Sequence, residues 1–292
     1  MKATLDIDPE LFPNDDKFGH AFFRRFDMRH LAKPLDVGGG VTKDYLFPAL
    51  YGDVTCSIAI FLCDYDGARS VLPDPRMKPV RMPRGRAVVA FSSYVYRNVR
   101  GVAPYNEIAM TIPVQHDTRW NLPVIPMLWS DAPGFGYYVF GMPVTSEENR
   151  IRGCDIWGLP KRTHGIDIDV GPEVCTTTAT DEDGSFYLRL NVPVKGSKVK
   201  SFDESSWVYS RLGGKTVRGM TTFAGDFEFN MNLDALVRRD VAPERTYIEI
   251  GDGGFAPELR QLGLERRPLQ TRFAMSMNSA FDLPEGAATR RP

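Results

Sequence analysis

The sequence has almost no net charge. Its 36 Lys+Arg against 37 Asp+Glu leave −1 with histidine neutral, so no global field draws it to nucleic acid or to an acidic membrane surface. Its four cysteines, Cys56, Cys63, Cys154 and Cys175, have no metal-ligand spacing, and its four histidines are scattered. This argues against a metal site and a disulfide framework and for a reduced, cytoplasmic setting. No run of roughly 18 apolar residues is present to span a membrane, and Met1 to Asp8 hold no apolar core of signal-peptide length. Ser-His-Asp, zinc, Rossmann and phosphate-loop motifs are all missing. Gly38-Gly39-Gly40 leads through Val41–Tyr45 to Pro48 rather than into a helix N-terminus, so it reads as a flexible joint and not a phosphate cradle. No cofactor and no metal is expected.

What is present is a succession of short strands. Thr55–Leu62, Arg86–Tyr96, Tyr105–Gln115 and Tyr137–Val144 are rich in β-branched and apolar residues. Alternation along Tyr105–Gln115 puts Glu107, Ala109 and Thr111 on one face and Ile108, Met110 and Ile112 on the other. An acid on that smaller, more polar face either lines a cavity or meets water. Further strands are expected at Gly165–Val170, Glu173–Thr180, Ser185–Val192, Trp207–Arg211, Lys215–Phe223, Gly225–Leu233, Thr246–Ile250 and Thr271–Ala280. Asp183-Gly184 joins two of them as a hairpin signal. Short helices are expected at Asp64–Leu72, from a Thr145 or Ser146 cap to Ile151, and at Pro257–Leu262. Residues 117–136, rich in proline and tryptophan, read as an ordered insertion or lid, and 193–206 as a lysine-rich linker. The fold class is mostly β with a few short helices: one antiparallel domain, a closed or double β-barrel with an internal cavity. Its expected limits are 46–283, with an N-terminal arm at 1–45 and a disordered tail at 284–292. Phe22-Phe23-Arg24-Arg25-Phe26 is read as a short amphipathic helix or a docking arm.

One stretch offers chemistry. Gly153-Cys154-Asp155-Ile156-Trp157-Gly158-Leu159-Pro160-Lys161-Arg162 places two cations together after a proline, among glycines and apolar residues. By itself it is either a basic turn between strands or a buried amine. A lysine in apolar surroundings beside a second cation loses its preference for the charged form, and a neutral amine attacks carbonyl carbon.

Three blocks in order favour the buried amine. Gly153-Cys154-Asp155, four residues, then Pro160-Lys161-Arg162 resembles the acetoacetate decarboxylase family, whose motif is Gly-Arg-Glu, a short aromatic spacer, then Pro-Lys-Lys-Leu-Gly. Tyr105-x-Glu107 followed by Ile112-Pro113-Val114 is similar to the family's Tyr-x-Glu strand. Asp64-x-Asp66-Gly67-Ala68, ending at Pro73, is similar to its early helix. The resemblance covers roughly residues 50–280. It implies a β-barrel or double barrel with a buried Schiff-base lysine, assembled into homo-oligomers. By residue-for-residue match Lys161 forms the imine, Glu107 is the active-site glutamate, and Arg162 stands where a second lysine depresses the pKa of the first. Tyr105, Trp157 and Met142 are candidates for the apolar wall that binds substrate around the amine. Bringing a lysine from its ordinary pKa of about 10.4 to about 7 takes roughly 4–5 kcal/mol against its charged form, which burial and a fixed neighbouring charge can supply.

Two family positions are empty. The family's second acid falls near Ser92, and its first-strand arginine, associated with the substrate carboxylate, near Val54; no arginine lies between Tyr51 and Ala68. The expected function is a carbon–carbon lyase of the decarboxylase type acting on a small β-keto or related oxo acid, with neither nucleic acid nor membrane as partner. Aldolase, dehydratase, hydratase or cyclase chemistry on a larger oxo compound by the same lysine is the first alternative. A non-catalytic binding or assembly protein that keeps the barrel is the second.

Overall fold

The computed structural model describes residues 14–119, 123–128, 132–239 and 241–290. Seven strands close on themselves. In chain order they are β1 (Ala49–Asp64), β2 (Arg86–Val99), β3 (Tyr105–His116), β4 (Phe135–Val144), then β9 (Lys198–Leu212), β10 (Lys215–Met231) and β12 (Gln270–Phe281). Around the barrel the order is β4, β9, β10, β12, β1, β2, β3 and back to β4. Every pairing is antiparallel except β4 with β9, a parallel seam of two residue pairs, Val208↔Tyr137 and Tyr209↔Tyr138. A short strand β5 (Lys161–Thr163) lies parallel to the far end of β4.

Alternation sorts side chains into two cores. One draws on all seven barrel strands, with Val54, Tyr96, Tyr105, Val139, Val144, Phe202, Phe227, Ala274 and Met277, and lines the interior. The other uses the opposite faces, such as Phe61, Val89, Phe91, Ile108 and Met110. These pack outward against a second antiparallel sheet, β6 (Gly165–Val170), β7 (Val174–Thr180), β8 (Phe186–Pro193) and β11 (Ile248–Ile250). Helices α1 (Tyr65–Ser70) and α3 (Ala256–Gln261) cover the same core. Among the described residues no helix is long and apolar enough to cross a membrane.

The closed barrel agrees with the expected class, while several segments differ from expectation. Residues 193–206 are not a linker: β9 begins at Lys198 and pairs with β10 along its whole length. The two strands expected within 215–233 are one. The helix expected to end near Ile151 runs on as α2 (Glu147–Trp157), through the glycine of the motif. Residues 284–290, expected as a disordered tail, return to pair Thr289 and Arg290 with Leu31 and His30. The arm is built into the molecule as well: Phe22 and Phe23 bury against Leu50 and Ala280, and Tyr45 and Phe47 are 2% and 0% exposed. The expected 117–136 insertion includes a short helix at Ile125–Leu128; residues 120–122 and 129–131 lie outside the described set.

Candidate active site

Helix α2 and strand β5 set the site. Ser146 caps α2, its hydroxyl accepting the Asn149 N–H at 3.3 Å. The helix ends at Gly158, which takes a left-handed φ of 63°. There a Cβ would lie 2.0 Å from the Arg211 carbonyl oxygen, so only glycine fits. Pro160 cannot continue the helix, and the chain turns directly into β5. Alternation along β5 then sends Lys161 and Thr163 to one side and Arg162 to the other.

The Lys161 side chain runs over Gly153 of α2. A Cβ on Gly153 would sit 2.3 Å from Lys161 Cδ and 2.4 Å from Cε; the missing side chain is the channel for the lysine. Nζ ends 2.6 Å from Glu107 Oε2, with the two side chains 6% and 4% exposed. Tyr96 donates its hydroxyl to Glu107 Oε1 at 3.3 Å. The Tyr105 ring centre lies 5.8 Å from Nζ, and Met142 is the register partner of Lys161 on β4. Glu107 stands opposite Tyr94 on β2 and Val144 on β4, so its acid is on the interior face and away from water.

Phenols surround the pair. The Tyr96 ring lies 4.6 Å from Tyr51, 5.2 Å from Tyr94 and 4.8 Å from Tyr105. Burial, reinforced by the Glu107 charge, pushes all four above the usual phenol range, Tyr51 to about 12. At neutral pH they are hydrogen-bond donors and not bases. A buried cation, Arg152 of α2, pulls the other way on Tyr51 and Tyr105. It is 2% exposed, lies 4.4 Å over Tyr45, and donates to Asn149 Oδ1 at 3.0 Å. Behind it, Lys43 and Tyr45 of the arm both hydrogen-bond Glu148 in full burial, closing this end of the barrel.

Of the residues expected at the site, the structure brings together Lys161, Glu107, Tyr105 and Met142. Arg162 is not beside the amine: it is exposed, with its guanidinium 4.8 Å over Phe255 on the opposite face. Adjacent strand residues cannot share a face, so the expected cation pair does not form. Trp157 also turns elsewhere, stacking on Phe281 at 4.9 Å and donating its indole N–H to the Asp282 carbonyl at 2.7 Å. Sequence reasoning missed Tyr51, Tyr94, Tyr96 and Arg152. The Tyr94-Val95-Tyr96 alternation was a usable signal for two of them. Among the described residues no group of three or more His, Cys, Asp or Glu could hold a metal ion.

A closed barrel with a lysine amine held against a carboxylate inside it defines a class, the barrel proteins built around an inward-facing amine. Residues 32–248 match the family model for acetoacetate decarboxylase (ADC), and the chain belongs to the acetoacetate decarboxylase family. Solved structures share its fold. An acetoacetate decarboxylase from Legionella pneumophila aligns with a TM-score of 0.54 at 14% identity, over 94% of this chain and 95% of its own. Another acetoacetate decarboxylase gives 0.52 at 14% identity, over 81% and 87%. The enduracididine biosynthesis enzyme MppR, complexed with pyruvate, gives 0.53 at 12% identity, over 89% and 98%. No curated protein matches the chain.

Proposed function

We propose that the protein is a Schiff-base-forming enzyme for an oxo acid, with Lys161 as the amine and Glu107 as its proton partner. The observation that carries this reading is the buried Lys161–Glu107 pair at 2.6 Å. Transfer of one proton from ammonium to carboxylate turns two buried charges into a neutral amine and a neutral acid. The amine then attacks the ketone carbonyl, and the carbinolamine loses water as the Glu107 carboxyl returns its proton to the departing hydroxyl. The cationic imine formed is an electron sink. Either the bond to a β-carboxylate breaks, releasing CO2 and leaving its electron pair in an enamine, or Glu107 removes an α-proton to give the same enamine. Protonation of the enamine carbon and addition of water to the imine release product and regenerate Lys161. The phenols of Tyr96 and Tyr105 donate hydrogen bonds throughout. MppR in complex with pyruvate, a protein of the same fold, supports an oxo acid as ligand.

A second reading, aldol or dehydration chemistry on a larger oxo compound, is favoured by one observation. The interior rows near the pair hold no charged residue on β1 or β2, where Val54, Cys56, Ile58 and Ser92 stand. A short β-keto acid therefore finds no cation on those two strands for its carboxylate; the buried cation on this side of the barrel is Arg152 of α2, beside Tyr51 and Tyr105. Borohydride reduction in the presence of acetoacetate or pyruvate, read by peptide mass spectrometry, is expected to place a stable adduct on Lys161. No adduct at that residue would sink the Schiff-base reading. CO2 release from acetoacetate separates the two chemistries: rapid release supports decarboxylation, and adduct without release supports the second.

A further inference from the structure

Strand β12 carries a cation the mechanism above does not use. Arg272 alternates with Phe273, whose ring belongs to the outer core, so Arg272 faces the barrel interior. It pairs with Ile58 of β1, which pairs with Ser92 of β2, which pairs with Ala109 of β3. Its row is the one next to that of Glu107, one two-residue step along the strand. Two strands, β1 and β2, lie between β12 and β3 one way round, and three, β10, β9 and β4, the other, so Arg272 projects from the wall opposite the Lys161–Glu107 pair.

The guanidinium there is partly buried and has few protein partners among the described residues. Among the described residues its one side-chain hydrogen bond runs from Nε to Gln270 Oε1 at 2.5 Å, and its carbon lies 4.5 Å over Phe202 and 5.9 Å over Phe229. It makes no ion pair among the described residues. Burial pushes it below the ordinary guanidinium range; Glu204, whose charge partly offsets this, is exposed and beyond ion-pair distance. Two more cations crowd the same aromatic pair. Lys200 Nζ lies 4.3 Å over Phe202 and 5.8 Å over Phe229, and Lys198 Nζ 5.3 Å over Phe229; both lysines are exposed. Three like charges around one ring repel each other unless an anion joins them. Between this cluster and the amine stands Tyr94, the register partner of Glu107, whose phenol is pushed up chiefly by burial, further by the Glu107 charge, and drawn down by Arg272. Neither Glu107 nor Lys161 contacts Arg272.

We propose that Arg272 is the carboxylate anchor of this barrel, and that the substrate is an oxo acid whose carboxylate is several carbon–carbon bonds from the ketone that meets Lys161. This rests on the Schiff-base reading of the site. A β-keto acid is too short to engage both walls at once, whereas a longer chain lies across the phenols with its anionic end on Arg272. Lys198 and Lys200 extend the positive charge to the surface, where it draws anions inward in a salt-dependent way.

The test uses the full chain and a series of methyl-ketone acids, acetoacetate, levulinate and their longer homologues, each beside its methyl ester. The concentration for half-maximal borohydride trapping on Lys161 is measured for each. In the unaltered protein the acid is expected to outperform its ester by about tenfold or more in the longer members and not in acetoacetate. Arg272→Gln is expected to bring that ratio to near one, and Arg272→Lys to restore part of it. An acid-to-ester ratio that is flat along the series, or that survives Arg272→Gln, overturns the inference. The flat-series outcome needs no variant to fold. Calorimetric binding of plain alkanoates of the same lengths separates this from the Schiff-base reading. Binding that depends on Arg272 without any Lys161 adduct keeps the anchor and rejects the imine; an adduct with no Arg272-dependent binding does the reverse.

Discussion

Replacing Gly153 by alanine moves the amine without deleting it. The new Cβ would stand 2.3 Å from Lys161 Cδ, 2.4 Å from Cε and 3.0 Å from Cγ, where carbon atoms need about 3.5–4.0 Å. The lysine must therefore shift by more than about 1 Å, and a misplacement of that size at a reacting group costs up to about 100-fold in rate. The helix responds in the opposite sense. Gly153 lies inside α2 with no left-handed φ, and glycine to alanine in a helix interior is worth up to about 1 kcal/mol of stability. Gly153→Ala is therefore expected to slow borohydride trapping on Lys161 by about 100-fold while the thermal midpoint stays within about 4 °C. Trapping at the unaltered rate in a folded Gly153→Ala protein would refute the claim that this glycine is the lysine's channel.

The ion pair and the phenols give further expectations. Lys161→Met or Glu107→Leu alone leaves a buried unpaired charge and is expected to cost about 3–5 kcal/mol, while the double variant recovers most of the loss; denaturant titration of the four proteins measures the cycle. Tyr51 has a folded pKa of about 12 against about 10 in the unfolded chain, so folding favours its protonated form. That contribution, about 3 kcal/mol, is complete below about pH 10 and lost as pH rises from about 10 to 12; alkaline unfolding should coincide with a cooperative rise in phenolate absorbance. Gly158→Ala sets a Cβ into the Arg211 carbonyl at a left-handed position and is expected to destabilise by more than about 1 kcal/mol, read by denaturant midpoint.

The barrel strands were legible where one face was uniformly apolar. β3 is the clearest instance, since Ile108, Met110 and Ile112 share the apolar outer face; alternation left the Glu107 face open between a cavity and water, and closure of the barrel makes it the interior. Strand β9 was not, because Lys195, Lys198 and Lys200 read as solvated linker. Its first half pairs only with β10, and an edge of that kind is where lysines are placed. The end of α2 was hidden by Gly153, which looks like a breaker until the lysine beside it is seen. Arg162 could not be assigned a face before β5 was known to be a strand. Arg152 and Arg272 had no signal at all: a buried arginine follows from tertiary placement and no local pattern.

The two-pair seam between β4 and β9 has a consequence for motion. β9 is held to β10 by hydrogen bonds over its full length, so the barrel wall is uneven in strength around its circumference. Local opening begins where the fewest backbone bonds must break. Amides at the seam should exchange with solvent before those of β1 and β2, and each such opening parts the wall beside the strand that leads to Lys161 while the rest of the sheet stays intact.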